Sequence, residues 1–122
     1  MPIFKRTISD KLIKATFYLS RSDKAKLKKA ISFCESAHVG QFRKTGEPYS
    51  NHPINVALIC AGWRLDVEAL VAGLLHDTVE DTSTSLHSIS NLYGDKVAEL
   101  VDGLSKVDQL VYRSFEEKTA EN

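Results

Sequence analysis

Apolar positions recur along this chain at spacings of three and four, the period of amphipathic helices. Ile8, Leu12, Ala15 and Leu19 mark a first helix. Ser22 or Asp23 can cap a second, whose stripe is Leu27, Ile31, Cys34 and His38 and which Gly40 ends. Residues 41–50 are polar and contain Gly46 and Pro48, so they read as a loop. A third helix is expected from Asn51-His52-Pro53, with proline at the first helical position, through Val56, Ile59 and Cys60 to about Trp63. Asp66 then caps a fourth helix with Glu68 in its first turn. Its core, ALVAGLL, is apolar on every side, which predicts a central, buried element. Thr82 to Ser85 is a loop with capping residues, and Leu86, Ile89 and Leu92 define a short fifth helix stopped by Gly94. Asp95 caps a sixth, with Val97, Leu100, Val101, Leu104 and Val107 expected to face inward. Ser114-Phe115-Glu116-Glu117 fits a capping box and predicts a new helix start. No segment of useful length alternates with period two, so the class is all-α, a bundle of about six helices.

A length of 122 residues suits one domain spanning 1–122 and is enough to bury a core. No apolar run approaches the roughly 18 residues of a membrane span, and the N-terminus lacks the apolar stretch of a secretory signal. Cys34 and Cys60 lie in apolar helical patterns with no second Cys or His at ligand spacing. Free thiols in a reducing cytoplasm are the expectation. The net charge is zero but unevenly divided. Residues 1–50 carry 11 Lys/Arg and 4 Asp/Glu, residues 51–122 carry 5 and 12, giving +7 against −7. Lys24, Lys26, Lys28 and Lys29 read as a solvated helix face. The basic residues form no groove-reading motif, so neither nucleic acid nor membrane is an expected partner.

The chemistry concentrates in Leu74-Leu75-His76-Asp77-Thr78-Val79-Glu80-Asp81, where a buried apolar helix turns abruptly ionisable. Burying such charges without partners or a metal is costly. His76 and Glu80 are four apart, as are Asp77 and Asp81, and on a continuing helix each pair shares a face. A divalent cation would relieve the repulsion among carboxylates. An HD dipeptide alone is more often a solvated helix end. His52, however, offers a second imidazole from a fixed position beside Pro53, and two His with one Asp suit a transition metal such as Mn, Fe, Ni or Zn. In the preceding loop, Arg43 and Lys44 put two cations near the aromatic Tyr49. An isolated Arg-Lys pair is commonly just solvated, but beside a metal site it suits phosphate. His38 on an apolar stripe reads as a hydrogen-bonded core histidine and His87 as solvated. Trp63, Tyr93 and Leu100 read as packing residues, and Asp102 and Asp108 as polar helix positions.

AHVGQFRKTGEPYSNHPINVA, AGLLHDTVEDT and LVDGLSKVDQL, in that order, resemble the hydrolase domain of RelA/SpoT-type alarmone enzymes from about Lys24 to Asn122. Those enzymes belong to the HD superfamily of metal-dependent phosphohydrolases. The resemblance implies a helical HD fold and hydrolysis of the 3′-pyrophosphate of guanosine tetra- or pentaphosphate, usually with Mn²⁺. It makes His52, His76 and Asp77 metal ligands, and Glu80 and Asp81 the pair that positions or activates water. Arg43, Lys44 and Thr45 become nucleotide contacts. The family completes its metal shell with an Asp in a motif like LADRLHNMRT, which this sequence does not contain. The resemblance therefore implies a C-terminally truncated domain, with weak metal binding, poor or absent turnover and an uncovered face that a homodimer or a swapped terminus could bury. Two other readings compete: an HD hydrolase of another nucleotide or phosphoester, and a catalytically silent helical regulatory module. The Arg43-Lys44 loop favours the alarmone, and the intact His and acidic residues favour an enzyme.

Overall fold

The computed structural model describes residues 7–121, excluding the side chains of Glu80, Asp81, Asp108, Gln109, Val111, Tyr112, Phe115 and residues 117–121. Among the described residues the chain forms seven helices and one isolated β-bridge: α1 (Ile8–Ala15), α2 (Arg21–Ala37), α3 (Asn51–Gly62), α4 (Val67–Leu75), α5 (Thr78–Asp81), α6 (Leu86–Tyr93) and α7 (Asp95–Glu121). The all-α expectation holds.

The hub is α4. From Val67 to Leu75 only Glu68 and Ala69 escape full burial, as the uninterrupted apolar run requires. It packs on α2, α3 and α7, while α1 covers α3 and α6 covers α7. Leu27, Ala30, Ile31 and Cys34 of α2 and Ile54, Ala57 and Ala61 of α3 close the core around it. Gly73 faces α3 with room for a methyl group but little more: a Cβ there would sit 3.7 Å from Val56 Cγ1 and 4.0 Å from the Ala57 backbone, ordinary contact distances. Asp66 caps α4 as expected, its Oδ1 accepting from Ala69 N–H at 3.0 Å.

Several boundaries differ from the pattern, each for a local reason. Thr7 caps α1 in a reciprocal box with Asp10, and α1 ends at Ala15, before Leu19. Ser20, not Ser22 or Asp23, caps α2 by accepting from Asp23 N–H. That helix stops at Ala37, and Gly40, with φ +81°, shapes the turn after it. Pro53 is the third residue of α3, still within the turn whose N–H groups lack intrahelical acceptors. Ser85 caps α6, but Leu92 on it is partly exposed. Ser114 lies inside α7, because no Gly or Pro follows Gly103 to interrupt the helix. On α7, Val97 and Val101 face the core, whereas Leu100, Leu104 and Val107 are exposed. Trp63 is also no packing residue, with 72% of its surface exposed. Tyr93 is buried as expected and meets Phe33 edge-on.

Both cysteines are free thiols. Burial pushes Cys34 up to about 12 and Cys60, which is half-buried, upward as well. A raised pKa leaves less thiolate at a given pH, so alkylation slows. At pH 8, mass spectrometry is expected to find Cys60 alkylated first and Cys34 only after unfolding. Equal labelling rates in the native chain would contradict the packing. Gly73→Ala is expected to leave stability unchanged or raise it by up to about 1 kcal/mol, alanine being the better helix former. Gly73→Leu is expected to lower it by about 1–3 kcal/mol through overpacking against α3. Urea titration followed by circular dichroism measures both.

Candidate metal centre and adjoining cleft

The buried helix α4 does not run on through the ionisable stretch as expected. It stops at Leu75, and a turn at His76-Asp77 separates it from the four residues of α5. Two side-chain hydrogen bonds accompany this turn, through which His76 and Asp77 keep right-handed helical dihedrals. His76 Nδ1 lies 2.7 Å from the Gly73 carbonyl, and Thr78 Oγ1 donates to the Leu75 carbonyl at 2.7 Å. In an unbroken helix Asp77 N–H and Val79 N–H would claim those carbonyls, so the side chains compete with the backbone ladder. His76 and Asp77 thus sit on a turn between two helices rather than on one continuous helix, and Glu80 and Asp81 follow on α5. The side chains of Glu80 and Asp81 lie outside the described residues.

The same bond sets the state of the imidazole. A carbonyl only accepts, so Nδ1 carries the hydrogen and Nε2 keeps its lone pair in the neutral ring. Nε2 faces Asp77 Oδ1 at 3.1 Å. Two acceptors at that distance repel unless a proton or a cation sits between them. Both residues are almost wholly withdrawn from water, exposing 9% and 8% of their surfaces. His52, in the first turn of α3, completes the group, its ring centroid 6.5 Å from that of His76. One ligand atom from each of His52, His76 and Asp77 lies within 4.8 Å of the others. Ligands about 2.0–2.2 Å from an ion stand roughly 3–4 Å apart, so a small inward rotation closes the set. Imidazole donating its second nitrogen to a backbone carbonyl is the usual support for a ligating histidine. The residues present therefore fit a divalent metal.

His52 also belongs to a second feature. Residues 41–49 fold back as a tight hairpin, with Phe42 bridged to Pro48. Arg43 N–H donates to the Glu47 carbonyl, Gly46 N–H to the Arg43 carbonyl and Tyr49 N–H to the Gln41 carbonyl, each at 2.9 Å. Gly46, at φ +89°, supplies the left-handed step of the turn. Phe42, Arg43, Lys44, Thr45, Tyr49 and His52 line an open cleft of about 470 Å³, a volume in the range of small-ligand sites. Among the described residues neither Arg43 nor Lys44 makes an ion pair, so the cleft presents two uncompensated cations to an anion.

The structure thus gathers His52, His76 and Asp77 in one cluster and Arg43, Lys44 and Thr45 in the wall beside it. His38 is buried at 3% exposure with Nδ1 3.0 Å from Gln41 Oε1, as a core histidine should be, and His87 is exposed. Asp102 is held by Lys106 one turn on, at 2.9 Å. Sequence reasoning missed the Gly73 carbonyl, because backbone acceptors leave no mark in a sequence. It noted Tyr49 as an aromatic but not its contact with His38, whose ring centroid is 5.0 Å away.

Residues 30–122 match the HD domain family. The chain is 46% identical over 105 residues to the bifunctional (p)ppGpp synthase/hydrolase SpoT of Escherichia coli (strain K12), covering 86% of this chain and 15% of that protein. It is 46% identical over 99 residues to a GTP pyrophosphokinase of Myxococcus xanthus, covering 79% of this chain and 13% of that one. Among solved structures it resembles a metazoan ortholog of SpoT that hydrolyzes ppGpp, with a TM-score of 0.60 and 36% identity over 64% of this chain and 46% of that one. The chain therefore spans about one seventh of the length of the two bacterial relatives. With the family match covering three quarters of its length and an HD dipeptide at the heart of its polar cluster, the chain belongs to the HD domain family.

Proposed function

We propose that this chain hydrolyses the 3′-pyrophosphate of guanosine tetra- and pentaphosphate to GDP or GTP and pyrophosphate. One observation carries the reading: His52 is shared between a metal-type cluster and a cleft that bears Arg43 and Lys44. A substrate bridging the two needs a polyanionic group at the cluster and further phosphate or a planar base within reach of Arg43. The hydrolase named among the relatives fits that demand. A kinase is named too, but buried His and Asp ligands beside no Gly-rich phosphate loop suit hydrolysis better.

In this reading His52, His76 and Asp77 hold the ion, with Mn²⁺ as the first candidate. The bound ion would acidify a water molecule and offset charge on the phosphoryl oxygens. Gly73, through its carbonyl, keeps the His76 Nε2 lone pair directed outward. Glu80 and Asp81, carried by α5 one turn beyond the ligands, position the water and accept its proton. Arg43 forks onto phosphate or stacks on the base, Lys44 adds a point charge and Thr45 a hydroxyl. The activity belongs to the cytoplasm, in keeping with two free thiols.

Added Mn²⁺ is expected to raise Tm, by an amount equivalent to about 2.7 kcal/mol at a hundredfold excess over Kd. His76→Ala should abolish the rise while keeping the helical spectrum. Scanning calorimetry checks this, and an undiminished rise in the variant would remove His76 from the ligand set. For the reaction, single-turnover assays with protein in excess over ppGpp are expected to release pyrophosphate. EDTA and His76→Ala should each stop it. Arg43→Ala should weaken ppGpp binding about tenfold or more, one charge-assisted contact being lost. Release of orthophosphate, or release indifferent to EDTA, would sink the proposal.

A further inference from the structure

His38 is the residue whose chemistry the proposed reaction leaves unused. It sits at the C-cap of α2, is 3% exposed, and its Nε2 has no hydrogen-bond partner among the described residues. A phenylalanine would fill the same space without stranding a polar atom, so packing alone does not account for an imidazole here. Its other nitrogen does have a task. Nδ1 lies 3.0 Å from Gln41 Oε1, and the Gln41 carbonyl accepts Tyr49 N–H across the base of the hairpin. The His38 ring also backs the Tyr49 ring, tilted by 36°. Tyr49 in turn lines the cleft, and its carbonyl accepts His52 N–H at 3.1 Å.

We propose that His38 is a positioning residue that locks the hairpin from behind, through Gln41 and Tyr49, and so sets the cleft that Arg43, Lys44 and Thr45 line. Its described contacts are with Gln41 and Tyr49. Its effect on substrate rests on the function proposed above, but its effect on the hairpin does not.

The test compares His38→Phe with His38→Asn. Phe keeps the volume and the aromatic contact but cannot donate to Gln41. The amide of Asn reaches about where Nδ1 does and restores the donor. Hydrogen exchange at the amides of Arg43, Gly46 and Tyr49 is expected to quicken roughly tenfold in His38→Phe, the loss of about one hydrogen bond. The α4 amides should stay unchanged, and His38→Asn should recover most of the protection. In parallel, ppGpp affinity is expected to fall about tenfold in His38→Phe with Mn²⁺ affinity unaltered. Wild-type exchange at the three hairpin amides in His38→Phe would overturn the inference. So would quickening spread evenly over α4, which marks a merely structural residue. Should the wild-type chain not bind ppGpp at all, the functional reading falls while the exchange data still decide the role of His38.

Discussion

A single hydrogen bond, from His76 Nδ1 to the Gly73 carbonyl, joins the architecture of this protein to its polar site. It draws the imidazole back along α4, bonds a carbonyl of the helix ladder, and leaves Nε2 as the outward lone pair. The helix gives way to a turn where the ionisable residues begin. Gly73 is also buried against Val56 and Ala57 of α3, so the carbonyl that orients His76 is anchored in the packed core. α3 delivers His52 from the same contact. The cluster inherits its precision from helix packing rather than from loops.

Electrostatics then explains why the cluster is guarded. His76 Nε2 and Asp77 Oδ1 face one another 3.1 Å apart with almost no water to screen them. Such a pair is unstable as two bare acceptors and comfortable around a cation. Its neighbour, the hairpin cleft, has the opposite sign, with Arg43 and Lys44 at the rim. The +7 and −7 halves of the sequence thus meet at His52, the first histidine past the basic half. The charge split reads as a solubility feature until the fold shows that its boundary coincides with the site.

Much of this was legible in the sequence because it follows local rules. Asp66 and Ser85 cap where short polar residues precede apolar periods, and ALVAGLL is buried because it has no polar face. The grouping of His52, His76 and Asp77 was anticipated as a plausible metal site from residue type, and as a ligand set from the family resemblance. What stayed hidden depends on competition and distance. The turn at His76 goes with a side chain bonding a backbone carbonyl, which periodicity does not encode. Leu100, Leu104 and Val107 obey the helical period yet are exposed, since a period marks an apolar face without saying what lies opposite it. Ser114 carries a capping signature that α7 overrides by continuing through it. The link from His38 to Tyr49 joins residues eleven apart through a turn, beyond any helical register.

The hairpin has one more consequence. Its closing bonds run among residues 41–49, and its brace comes from His38, just before it. All of those bonds fall within one short stretch of chain. In the proposed reading, the part that would choose a ligand is thus built largely from local bonds and adjoins the part that would do chemistry at His52. On the proposed function, replacing the tip residues would change which anion the cleft admits without altering the histidine and aspartate residues themselves. In evolutionary terms, that arrangement would let selectivity and reactivity change by separate substitutions between Phe42 and Tyr49 and at the cluster.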